Sequence, residues 1–396
     1  MAPHLRDYTL RNCEHLWLHR PITRTSRTQI TGQASADRGF YVVNYEGRRP
    51  GMVSEAAAAM SVVGAVCPDA AASGVFAALD LGTNNCRLLV ARPSGPSFRV
   101  IDAFSRVVRL GDRLATTGEL AHTAMDRTVE ALQVCASKLR RRGVTGFRGV
   151  ATEACRRARN GGAFVARVAA ETGLSLEIIG AREEAMLALT GCSPLLDTTV
   201  PYALLFDIGG GSTEVTFLRH DGGSNDWTIV DSVSLGLGVV VLAERLGHDV
   251  VAADDYDAQV EETAAKLAAF EAAHDIGSKL AEGDVQMLGT SGTVTTLSGI
   301  HMNLPRYERA LVDGSWLDLT AIRGICASLR LLDRSGRAAN PCIGFERTDL
   351  VLAGCAILEG ILRVWPVPRL RVADRGLREG ILLNLMRAGS APSASA

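Results

Sequence analysis

A repeated segment constrains the fold of this 396-residue chain more than any other feature of its sequence. Residues 78–85 (ALDLGTNN) align without gaps on residues 205–212 (LFDIGGGS), at a constant offset of 127 (207 − 80). The likeness continues to Arg92 and Arg219, so each copy reads as an apolar strand, an Asp, a Gly-containing polar loop and a second apolar strand. We interpret the repeat as a duplicated domain with two facing loops.

The two loops have the composition of anion-binding turns. Their Gly and small hydroxyl or amide residues let backbone N–H groups turn toward a phosphate. Asp80 and Asp207 end the preceding strands, where a carboxylate can bind a hydrated divalent cation such as Mg²⁺. Glu214, seven residues after Asp207, is placed to share that ion. The alternatives are ordinary tight β-turns and a solvent-exposed Glu on a strand.

Three further segments carry candidate chemistry. Residues 288–293 (LGTSGT) offer N–H groups to a phosphate, or form a plain strand-to-helix turn. Residues 151–160 (ATEACRRARN) supply guanidinium groups that can clamp a polyanion, or form a solvated helix face. Residues 180–185 (GAREEA) place Glu183 and Glu184 after a strand, where a carboxylate can activate water or simply complement a helix dipole.

Composition excludes several classes of protein. The formal charge of −1 lacks the basic excess of a nucleic-acid-binding protein. The longest nearly uncharged apolar run, residues 56–67, is too short to span a membrane. The nine cysteines contain no Cys-x-x-Cys pair, which predicts thiols in a reducing, cytoplasmic compartment rather than a zinc site. Walker A, Rossmann, kinase and zincin signatures are absent.

Hydrophobic periodicity predicts an α/β protein. Residues 75–79 and 86–91 form a predicted hairpin, and residues 122–142 carry the spacing of an amphipathic helix. Further helices are predicted around residues 256–267, after Thr320 and over residues 349–364. The remaining strand candidates are residues 176–179, 202–207, 285–288 and 370–373.

The ordered set of motifs resembles the Ppx/GppA phosphatases, which are exopolyphosphatases and guanosine pentaphosphate phosphohydrolases of the acetate kinase, sugar kinase, Hsp70 and actin superfamily. The resemblance runs from about residue 75 to residue 386 and includes residues 374–380 (DRGLREG). It implies two actin-like (ribonuclease H-like) lobes with a phosphate-binding cleft between them. Asn85 stands where the family commonly has Ser, and Arg375-Gly376 where it has Gly-Ala.

The resemblance also implies residue roles. Glu184 matches the family's catalytic base, and Arg156 the Arg that grips the substrate phosphate. Asp80, Asp207 and Glu214 match positions associated with Mg²⁺ or another divalent cation. The predicted phosphate-binding residues are Gly82, Thr83, Asn84, Asn85, Gly209, Gly210, Gly211, Ser212, Thr213 and Gly292.

The repeat and the resemblance together predict the domain organisation. Residues 75–188 form actin-like lobe I and residues 189–388 form lobe II, with the last helix expected to pack back on lobe I. Residues 1–74 lack the helical or strand periodicity of the rest of the chain. We interpret them as a poorly ordered N-terminal extension, or as the product of a misassigned start with Met52 or Met60 as the true first residue. Residues 389–396 form a small, polar tail.

The leading functional hypothesis is an exopolyphosphatase that releases terminal orthophosphate from inorganic polyphosphate. Its rivals are removal of the 5′ γ-phosphate of guanosine pentaphosphate (pppGpp, which would connect the protein to the stringent response), a kinase-like phosphotransferase, and a sensor that binds polyphosphate or nucleotide without turnover. No nucleic acid or membrane partner is expected, and a homodimer is left open.

Overall fold

Eleven strands are present in the part of the chain that the computed structural model describes, which is residues 74–222, 226–247 and 251–390. Residues 1–73 and 391–396, which hold most of the predicted extension and tail, lie outside it. The strands are β1 (Phe76–Leu81), β2 (Asn85–Ser94), β3 (Ser97–Val107), β4 (Gly146–Ala151), β5 (Leu176–Ile178), β6 (Tyr202–Ile208), β7 (Thr213–His220), β8 (Trp227–Leu235), β9 (Val285–Thr290), β10 (Trp316–Asp318) and β11 (Arg369–Ala373).

Helices connect and cover the strands. They are α1 (Leu114–Thr117), α2 (His122–Arg142), α3 (Glu153–Arg157), α4 (Gly161–Thr172), α5 (Ala181–Cys192), α6 (Val239–Leu246), α7 (Ala253–His274), α8 (Ile276–Ala281), α9 (Gly292–His301), α10 (Arg309–Val312), α11 (Leu319–Arg330), α12 (Arg334–Ala338), α13 (Val351–Val364) and α14 (Leu377–Ser390). Short 3₁₀ turns occur at Ser193–Leu195 and Phe345–Arg347.

The strands form two sheets of matching design. The first has the order β3-β2-β1-β4-β5 and the second β10-β11-β9-β6-β7-β8. In each sheet, the first three strands in chain order form an antiparallel meander. The next strands lie on the other side of β1 or β6 and run parallel to it. The register repeats as well, because Asp80 pairs with Arg87 and Asp207 pairs with Glu214. This confirms the duplication inferred from the sequence, with β10 added at one edge.

Most predicted elements are confirmed. The helix over residues 122–142 has the predicted bounds, and the hairpin and the strands β5, β6, β9 and β11 lie where the patterns placed them. Strands β3, β4, β8 and β10 were not predicted. The described cysteines are buried and free. Among the described helices, none combines the length and apolar character that crossing a membrane requires.

Close helix packing ties α14 to the first sheet. This helix packs against α5 and β1, and its apolar side chains Leu377, Ile381 and Leu382 share a buried cluster with β1 and β2. Glycines make the approach possible: a β carbon added at Gly380 would stand 1.9 Å from the Leu187 carbonyl oxygen, and one added at Gly191 would stand 2.0 Å from the Gly376 carbonyl oxygen. Because α14 follows β11 of the second sheet, the helix links the two halves.

Candidate active site

The ends of β1 and β6 meet at a cleft of about 980 Å³ that opens to solvent. Loop A (residues 82–85) follows β1, and loop B (residues 209–212) follows β6. One backbone hydrogen bond of the same kind closes each loop. Gly82 N donates to the Asn85 carbonyl at 3.0 Å, and Gly209 N donates to the Ser212 carbonyl at 2.9 Å. The Asn84 Oδ1 atom is buried in the cleft wall and has no hydrogen-bond partner, as expected of a group that awaits a ligand.

Carboxylates gather at the strand ends. Glu214 is only 8% exposed, so the alternative of a solvent-exposed strand Glu is wrong. Its Oε1 atom accepts from Ser212 Oγ at 2.6 Å and from Ser234 Oγ at 2.9 Å. Burial raises the pKa of Glu214 and of Asp80, and burial together with the charge of Glu214 raises the pKa of Asp207 to about 7.

Glu184 lies in the first turn of α5 and lines the same cleft. Burial and the charge of Glu214 raise its pKa to about 8, while Arg156 acts in the opposite direction. Arg156 Nη1 donates to Glu184 Oε2 at 3.1 Å and to the Ile179 carbonyl at 2.7 Å. The neighbouring Glu183 is different, because it is exposed and pairs with Arg148 at the surface.

The other side of Arg156 is held by Glu153. Arg156 Nη2 donates to Glu153 Oε2 at 2.6 Å, so one guanidinium group joins two carboxylates that are 31 residues apart (184 − 153). These contacts place Arg156 behind Glu184 as a bridge, rather than on the solvated helix face that the sequence left open. Arg156 is not part of the cleft wall.

The structure brings most of the predicted site residues to the cleft wall. They are Asp80, Gly82, Thr83, Asn84, Asn85, Glu184, Asp207, Gly209, Gly210, Gly211, Ser212, Glu214 and Gly292. Thr213 is a correction: its hydroxyl donates to the Leu237 carbonyl at 2.7 Å, and its backbone belongs to the β6–β7 ladder, so it faces away from the cleft. Ser291 caps α9 by accepting from Thr293 N at 3.2 Å, so residues 288–293 turn from a strand into a helix, and Gly292 of this turn lines the cleft.

Three charged residues of the cleft wall were not predicted. Arg87 lies 127 residues before Glu214, at the same place in the repeat, so extending the alignment by one pair would have found it. Glu153 was visible in the ATEACRR segment next to Arg156. Arg347 also lines the cleft, but it lies in a segment with no repeat and no recognised motif, so no sequence pattern indicated that it belongs to the site.

The likeness to known proteins agrees with this geometry. Residues 89–388 match the model of the Ppx/GppA phosphatase family. The chain belongs to this family. It is 30% identical over 322 residues to Exopolyphosphatase 2 of Mycobacterium tuberculosis, an alignment that covers 78% of this chain and 98% of the relative.

Solved Ppx/GppA structures have the same fold. The crystal structure of the Aquifex aeolicus family member is 26% identical, with a TM-score of 0.66 and coverage of 81% of this chain and 99% of that one. An exopolyphosphatase-like protein is also 26% identical, with a TM-score of 0.72 and coverage of 80% and 98%. The chain is therefore a two-lobed, actin-like Ppx/GppA protein and a phosphoanhydride hydrolase, with its cleft between the lobes.

Proposed function

We propose that this Ppx/GppA protein is an exopolyphosphatase that hydrolyses the terminal phosphoanhydride bond of inorganic polyphosphate. One observation carries the proposal: Glu184 is a half-buried carboxylate with a raised pKa, held by Arg156, in a cleft formed by two anion-binding loops. A carboxylate with a pKa near the working pH is suited to take a proton from water. The name of the M. tuberculosis relative supports the choice of substrate.

In this mechanism the terminal phosphate lies against loops A and B, whose N–H groups face its oxygens. Glu184 takes a proton from a water molecule as the water oxygen bonds to the terminal phosphorus. The bond from that phosphorus to the bridging oxygen breaks, and the electron pair leaves with the shortened chain. Arg156 positions Glu184 through the hydrogen bond that its Nη1 atom donates.

The cleft also has the donor set for Mg²⁺, which we propose as the cofactor. Asp80, Asp207 and Glu214 line the cleft and supply only oxygen ligands, but in the described residues no three acidic, His or Cys side chains come close enough to form a metal site by themselves. This fits Mg²⁺, which is held by one or two carboxylates and keeps waters and substrate phosphates as its other ligands. When bound there, it would neutralise charge on the phosphoryl oxygens.

A second candidate substrate is pppGpp, and one feature of the cleft favours it. Val239, Leu350 and Val351 form an apolar part of the wall, which a bare phosphate chain cannot use. The hydrolytic step would be the same, with the nucleoside against this apolar part. Competition between polyphosphate and pppGpp at equal concentrations would show which one has the higher kcat/KM.

The test is orthophosphate release from long-chain polyphosphate with Mg²⁺. Glu184→Gln is expected to lower kcat by roughly 10²–10⁴-fold while KM changes little. Glu183→Gln is the matched control, since it removes an adjacent but exposed carboxylate. Equal rates for Glu184→Gln and the wild type would remove Glu184 from the mechanism. If orthophosphate were released from pppGpp but not from polyphosphate, pppGpp would be the substrate.

A further inference from the structure

A second cavity, of about 830 Å³ together with the open solvent at its mouth, adjoins the cleft, and we call it the adjoining chamber. It shares six residues with the cleft wall, which are Asp80, Arg87, Asp207, Ser291, Gly292 and Arg347. Its remaining walls come from other parts of the fold, including Tyr307 and the start of α14 at Arg378. Loops A and B do not line it. The adjoining chamber therefore meets the cleft at the carboxylates of β1 and β6 and at the start of α9.

Part of the charge around the adjoining chamber is already balanced within the protein. The Asp374 carboxylate accepts from the Tyr307 hydroxyl at 2.5 Å. Glu379 accepts from Arg309 Nη2 at 2.7 Å and from Gly376 N at 2.9 Å. Arg375 is held by Asp313. These contacts fix the walls, and none of these groups needs a ligand.

Three arginines of the adjoining chamber are different. Arg87, Arg347 and Arg378 form no ion pair and no side-chain hydrogen bond with any residue in the described ranges. Burial lowers the pKa of the Arg378 guanidinium, Glu379 opposes this, and the charge of Arg87 lowers the pKa further. The Asp80 carboxylate acts in the opposite direction to Arg87. An anion in the chamber would satisfy the N–H donors that these three guanidinium groups leave unpaired.

The chemistry of the adjoining chamber indicates which anion it binds. Guanidinium groups recognise phosphate oxygens through paired N–H donors, and a compact tetrahedral anion can reach several of them at once. Two sources of such a group exist, namely free orthophosphate and a phosphate residue of the substrate chain. The position next to Asp80 and Asp207, away from the loops, favours the group that leaves the cleft after hydrolysis.

We infer that the adjoining chamber binds free inorganic orthophosphate through Arg378, Arg87 and Arg347, at a site distinct from loops A and B. The identity of the anion as reaction product rests on the proposed function. Its binding does not, because a protein that performs no hydrolysis would still hold orthophosphate there. The chamber gives the released phosphate a place to go while the remaining chain stays in the cleft.

The test measures binding of radiolabelled orthophosphate to the full-length Glu184→Gln protein by equilibrium dialysis. Arg378→Met is expected to raise the Kd at least about tenfold, as the loss of charge-assisted hydrogen bonds requires, and Arg378→Lys should recover part of the affinity. Arg323→Met, on the exposed face of α11, is the control for loss of one positive charge. If Arg378→Met does not fold, Arg347→Met takes its place.

Long-chain polyphosphate then distinguishes the two sources. With polyphosphate saturating the Glu184→Gln protein, orthophosphate binding should persist with its dependence on Arg378 intact. Complete displacement by polyphosphate would overturn the inference, as would an orthophosphate Kd that is the same in Arg378→Met and the control. In the active enzyme, Arg378→Met should raise the product-inhibition constant for orthophosphate more than the KM for polyphosphate. Orthophosphate binding that depends on Arg378 would support the inference even if the protein did not hydrolyse polyphosphate.

Discussion

Gly211 of loop B lies directly against Thr83 of loop A. A β carbon added at Gly211 would stand 2.6 Å from Thr83 Oγ1 and 3.1 Å from Glu153 Cγ. The two loops of the duplicated domain therefore touch, and the absence of a side chain at position 211 sets how closely the lobes approach. Sequence alignment pairs Gly211 with Asn84, so the repeat alone does not show that one copy needs a glycine here for packing.

Gly211→Ala is expected to force loop B away from loop A and lower kcat for polyphosphate at least about tenfold, since small displacements of positioning groups are costly in catalysis. Gly236→Ala is the control, because no atom lies within 4 Å of the added β carbon. Steady-state phosphate release from both variants gives the comparison. Equal activity in the two would show that the loops tolerate separation.

The pH dependence of activity should follow Glu184. Because burial raises its pKa and the base must be ionised to accept a proton, kcat/KM should rise with pH above the range in which an ordinary Glu ionises. Arg156→Gln removes a charge that favours the ionised form, so it should move the rising limb to higher pH. Arg157→Gln is the control. If the rising part of the pH profile lay at the same pH in Arg156→Gln and Arg157→Gln, the charge of Arg156 would not lower the pKa of Glu184.

Glu153 should act through Arg156. Glu153→Gln removes a charge-assisted hydrogen bond to Arg156 Nη2, and we expect kcat to fall roughly 10-fold to 100-fold with a smaller change in KM. A double-mutant cycle with Arg156→Gln measures the coupling: once Arg156 is absent, removal of the Glu153 charge should have much less effect. Additive losses would mean that Glu153 works independently of Arg156.

The crossing of α14 over α5 should be intolerant of a methyl group. Gly380→Ala places a β carbon 1.9 Å from the Leu187 carbonyl oxygen, and we expect a loss of about 1–3 kcal/mol in the free energy of unfolding. Gly324→Ala, on α11 with open space around the added carbon, should instead stabilise the protein slightly through helix propensity. Thermal and urea unfolding of the two variants should therefore change in opposite directions.

Much of the site follows from local patterns. An apolar strand, an Asp and a Gly-rich turn are a continuous segment, so the sequence predicts that Asp80 and Asp207 end strands beside anion-binding loops, and the structure agrees. Thr213 was misplaced because strand residues alternate between faces, and a contact to the Leu237 carbonyl turns its hydroxyl to the other side. Strand β4 was missed because its glycines, Gly146 and Gly149, weaken the apolar pattern; Gly149 stands where Leu176 and Phe147 already fill the space.

The sequence by itself determined the duplication, the two loops and the carboxylates at the strand ends, because backbone propensity and side-chain alternation act between near neighbours in the chain. Only the tertiary structure decided that Arg156 joins Glu153 to Glu184, and that Arg347 reaches the cleft and the adjoining chamber. Only the folded cleft decides that Glu184 has a pKa of about 8, since burial and the charge of Glu214 cause the shift. The physical reason is that desolvation and Coulomb interactions depend on distances in space, which packing across the two lobes sets.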